Sequence, residues 1–271
     1  MAFDVSNFFY EEYKKNKYFL VFIQIKYFKF INKFRRILRK LLLPYYILKK
    51  NHYKFYKFIN SDKIFLEKKF FFEKNSFCFI EYPLEDFFYK KIKNNFPPKI
   101  FFFPMKTIDK QYNFGFKWVK DNNSNIKDYE LFNEIKSFFL FLKSTFFEEL
   151  ISNLCNDGKK RSLFSFTLTI AGKNSILFPH KDSIANLDEG SSIEKKNTAI
   201  NLIFFIKGKK SGSNIGATGI YEDNLFLKPI FVPNNINNSL LIYKSDANFY
   251  HGFNKMESNS ERFTVNAQYC S

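Results

Sequence analysis

The feature that most constrains the fold is a run of short strands in the second half of the chain. Residues 163–170 (LFSFTLTI) alternate apolar side chains with Ser and Thr, the period of a strand that buries one face. Further strands are predicted, between clusters of Gly, Asn, Pro and Ser, over residues 198–206, 219–221, 225–232, 239–243 and 262–269. Many short strands separated by turn residues predict a double-sheet β-roll over residues 159–271.

Residues 61–158 mix strand and helix signals and are predicted to belong to the same domain as the β-roll. Short aromatic runs broken by prolines favour strands and loops over residues 62–105. Residues 111–120 have the pattern of a further strand. This region is therefore expected to be of mixed α/β structure and to end in a long helix.

The long helix is predicted over residues 129–155, where apolar residues recur on one side. Asp128 is a plausible N-cap, and Asn156-Asp157-Gly158 should end the helix. The predicted fold class is therefore α+β. Its C-terminal part is a double-sheet β-roll of jelly-roll or cupin-like type, with the N-terminal helices packed on it or appended to it.

Residues 1–60 form a basic segment that is predicted to be an amphipathic helical arm. Apolar residues recur at three- and four-residue spacing over 19–43, and Pro44 should end or kink the helix. The net charge of the chain is +17, and the arm carries 14 Lys/Arg against 3 Asp/Glu, so the remainder is nearly balanced. We expect the arm either to contact an anionic membrane through residues 14–57 or to pack its apolar face on the domain core.

Composition excludes disorder of the whole chain and says little more about function. A hydrophobic content of 45% is enough for a buried core. The 40 Phe residues accompany many Lys, Asn and Ile residues, all with A/T-rich codons, so we do not interpret them functionally. The three cysteines indicate neither a disulfide framework nor a zinc knuckle, and no signal peptide or membrane span is visible. The expected location is cytoplasmic, with peripheral membrane contact as the alternative.

Two of the three histidines lie in the β-rich half, and one of them has a carboxylate close by. His180 and Asp182 occupy positions i and i+2, which point to the same side of an extended segment. They can therefore bind one metal ion, and His251 is the remaining histidine outside the arm, which contains His52. Two imidazoles and one carboxylate on one octahedral face leave three positions open, as in non-haem iron(II) oxygenases.

A single arginine on the last predicted strand is a candidate anion site. Arg262, Thr264 and Asn266 share one face of that strand. An arginine that points into a barrel interior is costly unless an anion meets it, and a guanidinium binds a carboxylate through two hydrogen bonds. Arg262, supported by the Thr264 hydroxyl, is therefore a candidate anchor for the distal carboxylate of a 2-oxo diacid. The alternative is a surface arginine on an edge strand.

This combination of motifs resembles the 2-oxoglutarate/iron(II) dioxygenase superfamily. The resemblance consists of His180-x-Asp182, a distant His251, and H-x10-R-x-T with Arg262 and Thr264 on the last core strand. It implies a double-stranded β-helix fold. It also implies that the two histidines and Asp182 bind iron, and that Arg262 with Thr264 binds 2-oxoglutarate.

The resemblance covers residues 160–271 and extends to two further segments. Residues 239–253 resemble the strand and turn before the family's distal histidine, and residues 217–223 resemble its glycine-containing middle strand. Family members that halogenate lack the metal-binding carboxylate, so Asp182 implies hydroxylation or a related oxidation. Residues 183–197 are expected to form part of a substrate lid.

The remaining site residues are weaker predictions. Thr167 and Thr169 on the preceding strand and Asn201 on the following strand are candidate auxiliary contacts for the co-substrate. The nucleic-acid demethylases of the family carry a second arginine where this chain has Gln268 and Tyr269. A nucleic-acid substrate is therefore not expected, although the arm is basic.

The sequence thus predicts an oxygenase that uses iron(II), 2-oxoglutarate and O2 to hydroxylate a small-molecule, sugar, lipid or protein substrate. One alternative is a β-roll without catalytic activity whose basic arm binds nucleic acid or an anionic membrane. A second alternative is a cupin-type metalloenzyme that does not use 2-oxoglutarate.

Overall fold

A computed structural model describes eight ranges of the chain: 57–98, 102–104, 113–119, 132–173, 175–181, 199–209, 216–256 and 260–271, together with the isolated helical positions Phe34 and Ile37. The rest of the predicted basic arm, Asp182 and the predicted lid at 183–197 lie outside these ranges. In the part of the chain that is described, no helix is long and apolar enough to cross a membrane.

The described ranges contain five helices between residues 57 and 155. They are α1 (Lys63–Leu66), α2 (Lys69–Asn75), α3 (Asp86–Asn94), α4 (Asn133–Leu142) and α5 (Thr145–Cys155). Eleven strands are described, and most of them follow the helices. They are β1 (Phe77–Glu81), β2 (Phe103–Pro104), β3 (Asn113–Val119), β4 (Ser162–Ala171), β5 (Leu177–His180), β6 (Ile200–Lys209), β7 (Gly219–Tyr221), β8 (Pro229–Phe231), β9 (Ser239–Lys244), β10 (Tyr250–Phe253) and β11 (Glu261–Cys270).

The strands form two antiparallel sheets. The large sheet has the order β1-β9-β6-β11-β4-β3-β2, and the small sheet has the order β5-β10-β7-β8. Side chains from both sheets meet in one apolar cluster, which includes Phe205 and Leu241 of the large sheet and Ile220 of the small sheet. The sheets therefore face each other, and the predicted α+β fold with a C-terminal β-roll is confirmed.

The helices cover the other face of the large sheet. Phe138 of α4 contacts Phe204 of β6 at 5.1 Å between ring centroids, and the Tyr269 hydroxyl of β11 donates to the Leu142 carbonyl at 2.6 Å. Leu168 and Val265, on neighbouring strands, belong to this core as well. Every second residue of β4 and β11 therefore packs against the helices, and the alternate residues point between the two sheets.

The long helix predicted over residues 129–155 is two helices. Helix α4 ends at Leu142 and α5 begins at Thr145, with Ser144 in an extended conformation between them. The Ser144 hydroxyl accepts a hydrogen bond from the Phe147 backbone N–H, so Ser144 is the N-cap of α5. The proposed N-cap Asp128 lies outside the described residues.

Two further predictions of secondary structure need correction. The region 62–105 was expected to contain strands and loops, but it contains α1, α2 and α3 besides the two short strands β1 and β2. The strand expected over 225–232 is reduced to β8, because the Asp223 carboxylate accepts from the backbone N–H groups of Leu225 and Leu227 and holds a turn there.

Candidate functional site

Two of the three histidines of the chain lie side by side inside the β-roll. His180 ends β5 and His251 lies on the neighbouring strand β10, where the two are directly paired. Their ring centroids are 4.3 Å apart, and His251 is buried. Residues paired across an antiparallel ladder point to the same face, so both imidazoles are presented to one point between the sheets.

A backbone hydrogen bond sets the orientation of the His180 ring. Its Nδ1 lies 2.8 Å from the Phe178 carbonyl oxygen. A carbonyl can only accept, so Nδ1 donates in this hydrogen bond, and Nε2 is the ring nitrogen that could bind a metal ion. This tautomer and this kind of second hydrogen bond are typical of imidazoles that bind metal ions.

Gly252 allows the two histidine strands to approach closely. A Cβ atom at this position would lie 2.4 Å from the Leu177 carbonyl oxygen and 2.8 Å from the Pro179 nitrogen. Both atoms belong to the backbone of β5, which cannot rotate away as a side chain could. A residue without a side chain is therefore required next to His251.

The predicted carboxylate ligand, Asp182, lies outside the described residues, one position beyond Lys181. Within the described ranges, no group of three or more His, Cys, Asp or Glu side chains gathers as a metal site. The described part of the site is therefore a pair of imidazoles at the point where the chain leads to Asp182. Its role as the third ligand stays a prediction.

Arg262, on β11, also lies between the two sheets and is only 4% exposed. Its Nη1 donates to the Gly216 carbonyl at 3.0 Å and to the Thr218 hydroxyl at 2.9 Å, and its Cζ lies 3.9 Å from the centre of the Phe253 ring. Strand β11 lies between β4 and β6. The alternative of a surface arginine on an edge strand is therefore wrong.

The surroundings of Arg262 are poorly suited to an isolated cation. Its Nε is buried without a hydrogen-bond partner, and no described carboxylate forms an ion pair with it. Burial lowers the pKa of the guanidinium to about 9. A buried positive charge without a counter-charge is destabilising, so this pocket favours an anion.

Two hydroxyl groups flank Arg262 on the same side of the chain. Ser260 and Thr264 are 1% and 0% exposed, and their oxygens, like Arg262 Nε, have no hydrogen-bond partner in the described part of the chain. Three unpartnered donors at alternate positions match the needs of a carboxylate, which accepts up to four hydrogen bonds. Sequence reasoning proposed Thr264 but missed Ser260.

The anion pocket lies within reach of the histidine pair. Phe253, which contacts Arg262, is two residues from His251 on β10. Two residues of an extended strand span about 7 Å. That distance is comparable with the length of a five-carbon dicarboxylate, so the donor set fits a diacid with one end on Arg262 and the other near the imidazoles.

The auxiliary residues lie at different distances from the pocket. Thr169 is paired with Thr264 and accepts a hydrogen bond from Asn266, whose own partner on β4 is Thr167. Asn201 is paired with Gln268, six positions along β11 from Arg262, which corresponds to about 20 Å. A diacid bound to Arg262 would not reach Asn201, so we leave it out of the proposed carboxylate site.

Tyr243 and Thr218 are two further residues that sequence reasoning missed. The Tyr243 ring, on β9, lies 4.6 Å from the His251 ring. Thr218 precedes β7 and accepts from Arg262. Both contacts join segments that are distant in sequence, and no motif signals them.

Known proteins resemble this chain in structure but not in sequence. No protein-family model matches it, and no curated protein sequence matches it. A prolyl hydroxylase of Trichoplax adhaerens, in complex with a peptide fragment of the hypoxia inducible factor oxygen degradation domain, has a TM-score of 0.53 at 13% identity. The match covers 77% of this chain and 90% of that one.

Two bacterial proteins give similar matches. A prolyl-4-hydroxylase of Pseudomonas putida has a TM-score of 0.51 at 9% identity, covering 76% of this chain and 98% of that one. An oxidoreductase of the 2OG-Fe(II) oxygenase family from Burkholderia pseudomallei has a TM-score of 0.50 at 8% identity, covering 82% and 94%. At such identities the similarity concerns the fold. This chain has the double-stranded β-helix fold of the 2-oxoglutarate- and iron(II)-dependent oxygenases.

Proposed function

We propose that this protein is an iron(II)- and 2-oxoglutarate-dependent oxygenase that hydroxylates its substrate. The observation that carries the proposal is the pairing of His180 with His251 between the same two sheets as Arg262, which is buried without a described counter-ion. Two imidazoles alone would fit many metals, and a buried arginine alone would fit many anions. Their combination supports a metal site that also binds a dicarboxylate.

In this proposal each residue has a distinct role. His180, His251 and Asp182 bind the metal, and the Phe178 carbonyl keeps Nε2 of His180 directed at it. Arg262 binds the distal carboxylate of 2-oxoglutarate. The bound iron and co-substrate supply the activation of O2 that C–H oxidation requires. Asp182 supports hydroxylation rather than halogenation, because halogenating members of the family lack that carboxylate.

Three neighbouring side chains complete the carboxylate site. The hydroxyls of Ser260 and Thr264 donate to the bound carboxylate beside Arg262. Phe253 covers the guanidinium and excludes water from it. Excluding water strengthens a charge-assisted hydrogen bond, so this lining favours tight binding of the diacid.

An anaerobic titration tests the proposal without a known substrate. Iron(II) and 2-oxoglutarate are added to the full-length chain, and the metal-to-ligand charge-transfer absorption and the heat of binding are recorded. We expect one equivalent of each to bind. His180→Ala and Asp182→Ala should weaken iron binding by about 100-fold or more, whereas His52→Ala, which changes the histidine in the arm, should not.

Substitution of Arg262 separates the two metalloenzyme alternatives. Arg262→Lys keeps the charge but loses the planar pair of donors, so 2-oxoglutarate should bind about tenfold or more weakly while iron binding is retained. The matched control is Arg161→Lys, which changes the other buried arginine. Iron binding without 2-oxoglutarate binding would favour the cupin-type metalloenzyme. Binding of neither would favour a β-roll without catalytic activity.

A further inference from the structure

We propose that the substrate of this enzyme is a neutral molecule that presents hydroxyl or amide groups, and that it binds on a row formed by Asn201, Gln268 and Ser165. This inference rests on the proposed oxygenase function and concerns the substrate class of the same site. The row is defined by strand pairing, because Asn201 is paired with Gln268 and Gln268 with Ser165.

The row begins beside the histidine pair. Tyr243, whose ring lies 4.6 Å from that of His251, is directly paired with Asn201 across β9 and β6. From Tyr243 to Ser165 there are three steps between neighbouring strands, or about 14 Å. A substrate lying along the row would therefore have one end close to the metal-binding imidazoles.

The row is polar where a packed interior would be apolar. On the same inner side, Ile203 and Phe205 of β6 are buried in the cluster between the sheets. Gln268, Asn266, Ser165 and Thr167 are only partly buried. Their partial exposure means that solvent reaches this end of the space between the sheets.

Hydrogen bonds already fix the orientation of the row. Gln268 Nε2 donates to Asn201 Oδ1 at 3.1 Å, and the Ser165 hydroxyl donates to Gln268 Oε1 at 3.4 Å. These bonds hold the Gln268 amide in place before a ligand arrives. A fixed amide that offers both a donor and an acceptor is suited to a hydroxyl or another amide.

Charge selects against other substrates. Apart from Arg262 at the far end of β11, the described inner-side residues of β4, β6 and β11 are uncharged. A carboxylate, phosphate or ammonium group on the row would lose its hydration without meeting a counter-charge from these three strands. A hydrocarbon would offer no hydrogen bond to the second N–H and the second lone pair of the Gln268 amide. Neutral groups that donate and accept hydrogen bonds satisfy the row without either cost.

The test uses the full-length chain loaded with Mn(II) and 2-oxoglutarate, and small probes of known chemistry. Paramagnetic relaxation of probe NMR signals reports binding near the metal without turnover. The neutral polar probes are polyols and N-acetylated amino acid amides. The charged probes are carboxylates, phosphate monoesters and alkylammonium ions, and the hydrocarbon probes are alcohols with long alkyl chains. We expect the polyols or the amides to show the largest enhancement.

Substitutions of Gln268 test whether the probes bind at the row. Gln268→Leu should weaken the binding of the polyol or amide probes by about three- to tenfold and leave the binding of 2-oxoglutarate unchanged. If that variant does not fold, Gln268→Glu keeps the shape and adds a charge. It should then favour alkylammonium probes over neutral ones. Asn95→Leu, which changes an exposed amide at the end of α3, is the matched control.

The possible failures are distinguishable. If Mn(II) or 2-oxoglutarate does not bind, the proposed function fails before the substrate is tested. If both bind but charged or hydrocarbon probes give the largest enhancement, or if neither Gln268 variant changes the selection, the inference about the substrate is wrong and the proposed function stands.

Discussion

His180 and His251 are direct partners on adjacent antiparallel strands, and their ring centroids are 4.3 Å apart. The strand ladder itself brings the two imidazoles together. Both side chains leave the backbone on the same face, and the Phe178 carbonyl fixes the His180 tautomer. Strand pairing therefore holds together the two imidazoles that we propose as metal ligands.

Gly252→Ala should disrupt this organisation. The new methyl group would meet the backbone of β5 at 2.4 to 2.9 Å, so β10 has to move away from β5 and the histidines have to separate. We expect a loss of about 1–3 kcal/mol in the free energy of unfolding and a marked loss of iron(II) affinity. Chemical denaturation and anaerobic metal titration measure the two effects.

Gly172→Ala is the matched control. A Cβ at this position would have only the Ser260 carbonyl oxygen within 4.0 Å, so stability and metal affinity should change little. Equal effects of the two substitutions would show that the close approach at Gly252 is not what brings the histidines together.

A second prediction concerns the ion pair that joins α5 to β4. Arg161, with a fully buried side chain, donates from Nη1 to Asp157 at 2.8 Å and also from Nη2. The hydrogen bonds from Arg161 lower the pKa of Asp157 to about 2. A carboxylate with a lowered pKa contributes stability above its ordinary pKa of about 4, and this contribution is lost as the pH falls toward 2.

Asp157→Asn should therefore destabilise the protein at pH 7 by about 1–3 kcal/mol, because it leaves a buried guanidinium without its anion. The difference from the wild type should shrink as the pH falls from 4 to 2. Denaturation curves over this range measure it. Asp86→Asn, which breaks the exposed pair with Lys90, should leave the stability nearly unchanged at every pH in this range. A pH-independent difference would contradict the prediction.

The β-roll could be predicted because its pattern is local. Alternation over β4 and turn residues between the later strands are sufficient to indicate two antiparallel sheets. The region 62–105 could not be predicted, because runs such as KFFF in α2 have no clear period, and only tertiary packing decides between helix and strand. The break at Ser144 was missed because no Gly or Pro marks it.

At the site, too, local sequence patterns could be interpreted, and contacts that depend on tertiary structure could not. Histidines are rare in this chain, so the two in the β-rich half could be paired by elimination. Thr218 and Tyr243 could not be found, because their contacts arise from the pairing of strands far apart in sequence. Ser260 could have been found, since the alternation that places Arg262 and Thr264 on one face extends to it.

A third prediction concerns the hydroxyls beside Arg262. The Ser260 and Thr264 oxygens are buried without a partner among the described residues, so Ser260→Ala and Thr264→Val remove no described hydrogen bond. We expect little change in stability without ligand. The affinity for 2-oxoglutarate should fall about three- to tenfold for each substitution, as measured by calorimetry on the iron-loaded protein under anaerobic conditions.

Ser245→Ala is the control for these hydroxyls. The Ser245 hydroxyl is buried and accepts from the Ala199 N–H at 3.0 Å, so its removal should lower stability by about 1–3 kcal/mol without changing 2-oxoglutarate affinity. If Ser260→Ala and Thr264→Val behaved like Ser245→Ala, both hydroxyls would be structural and the carboxylate site would consist of Arg262 alone.

The last prediction is that Arg262 lowers stability in the absence of ligand and that its anion restores it. Arg262→Met keeps an unbranched stem and removes a buried charge that has no described counter-ion. The ligand-free variant should be as stable as the wild type or up to about 2 kcal/mol more stable. In the iron(II)-loaded wild type, adding 2-oxoglutarate should raise the midpoint of unfolding. In the iron(II)-loaded variant, adding 2-oxoglutarate should leave that midpoint unchanged. Arg161→Met, which breaks the pair with Asp157, should lower stability with and without ligand. A similar loss in Arg262→Met would mean that the hydrogen bonds to Gly216 and Thr218 stabilise the ligand-free fold more than the buried charge destabilises it. The case for a dicarboxylate beside His180 and His251 would then lose its main support.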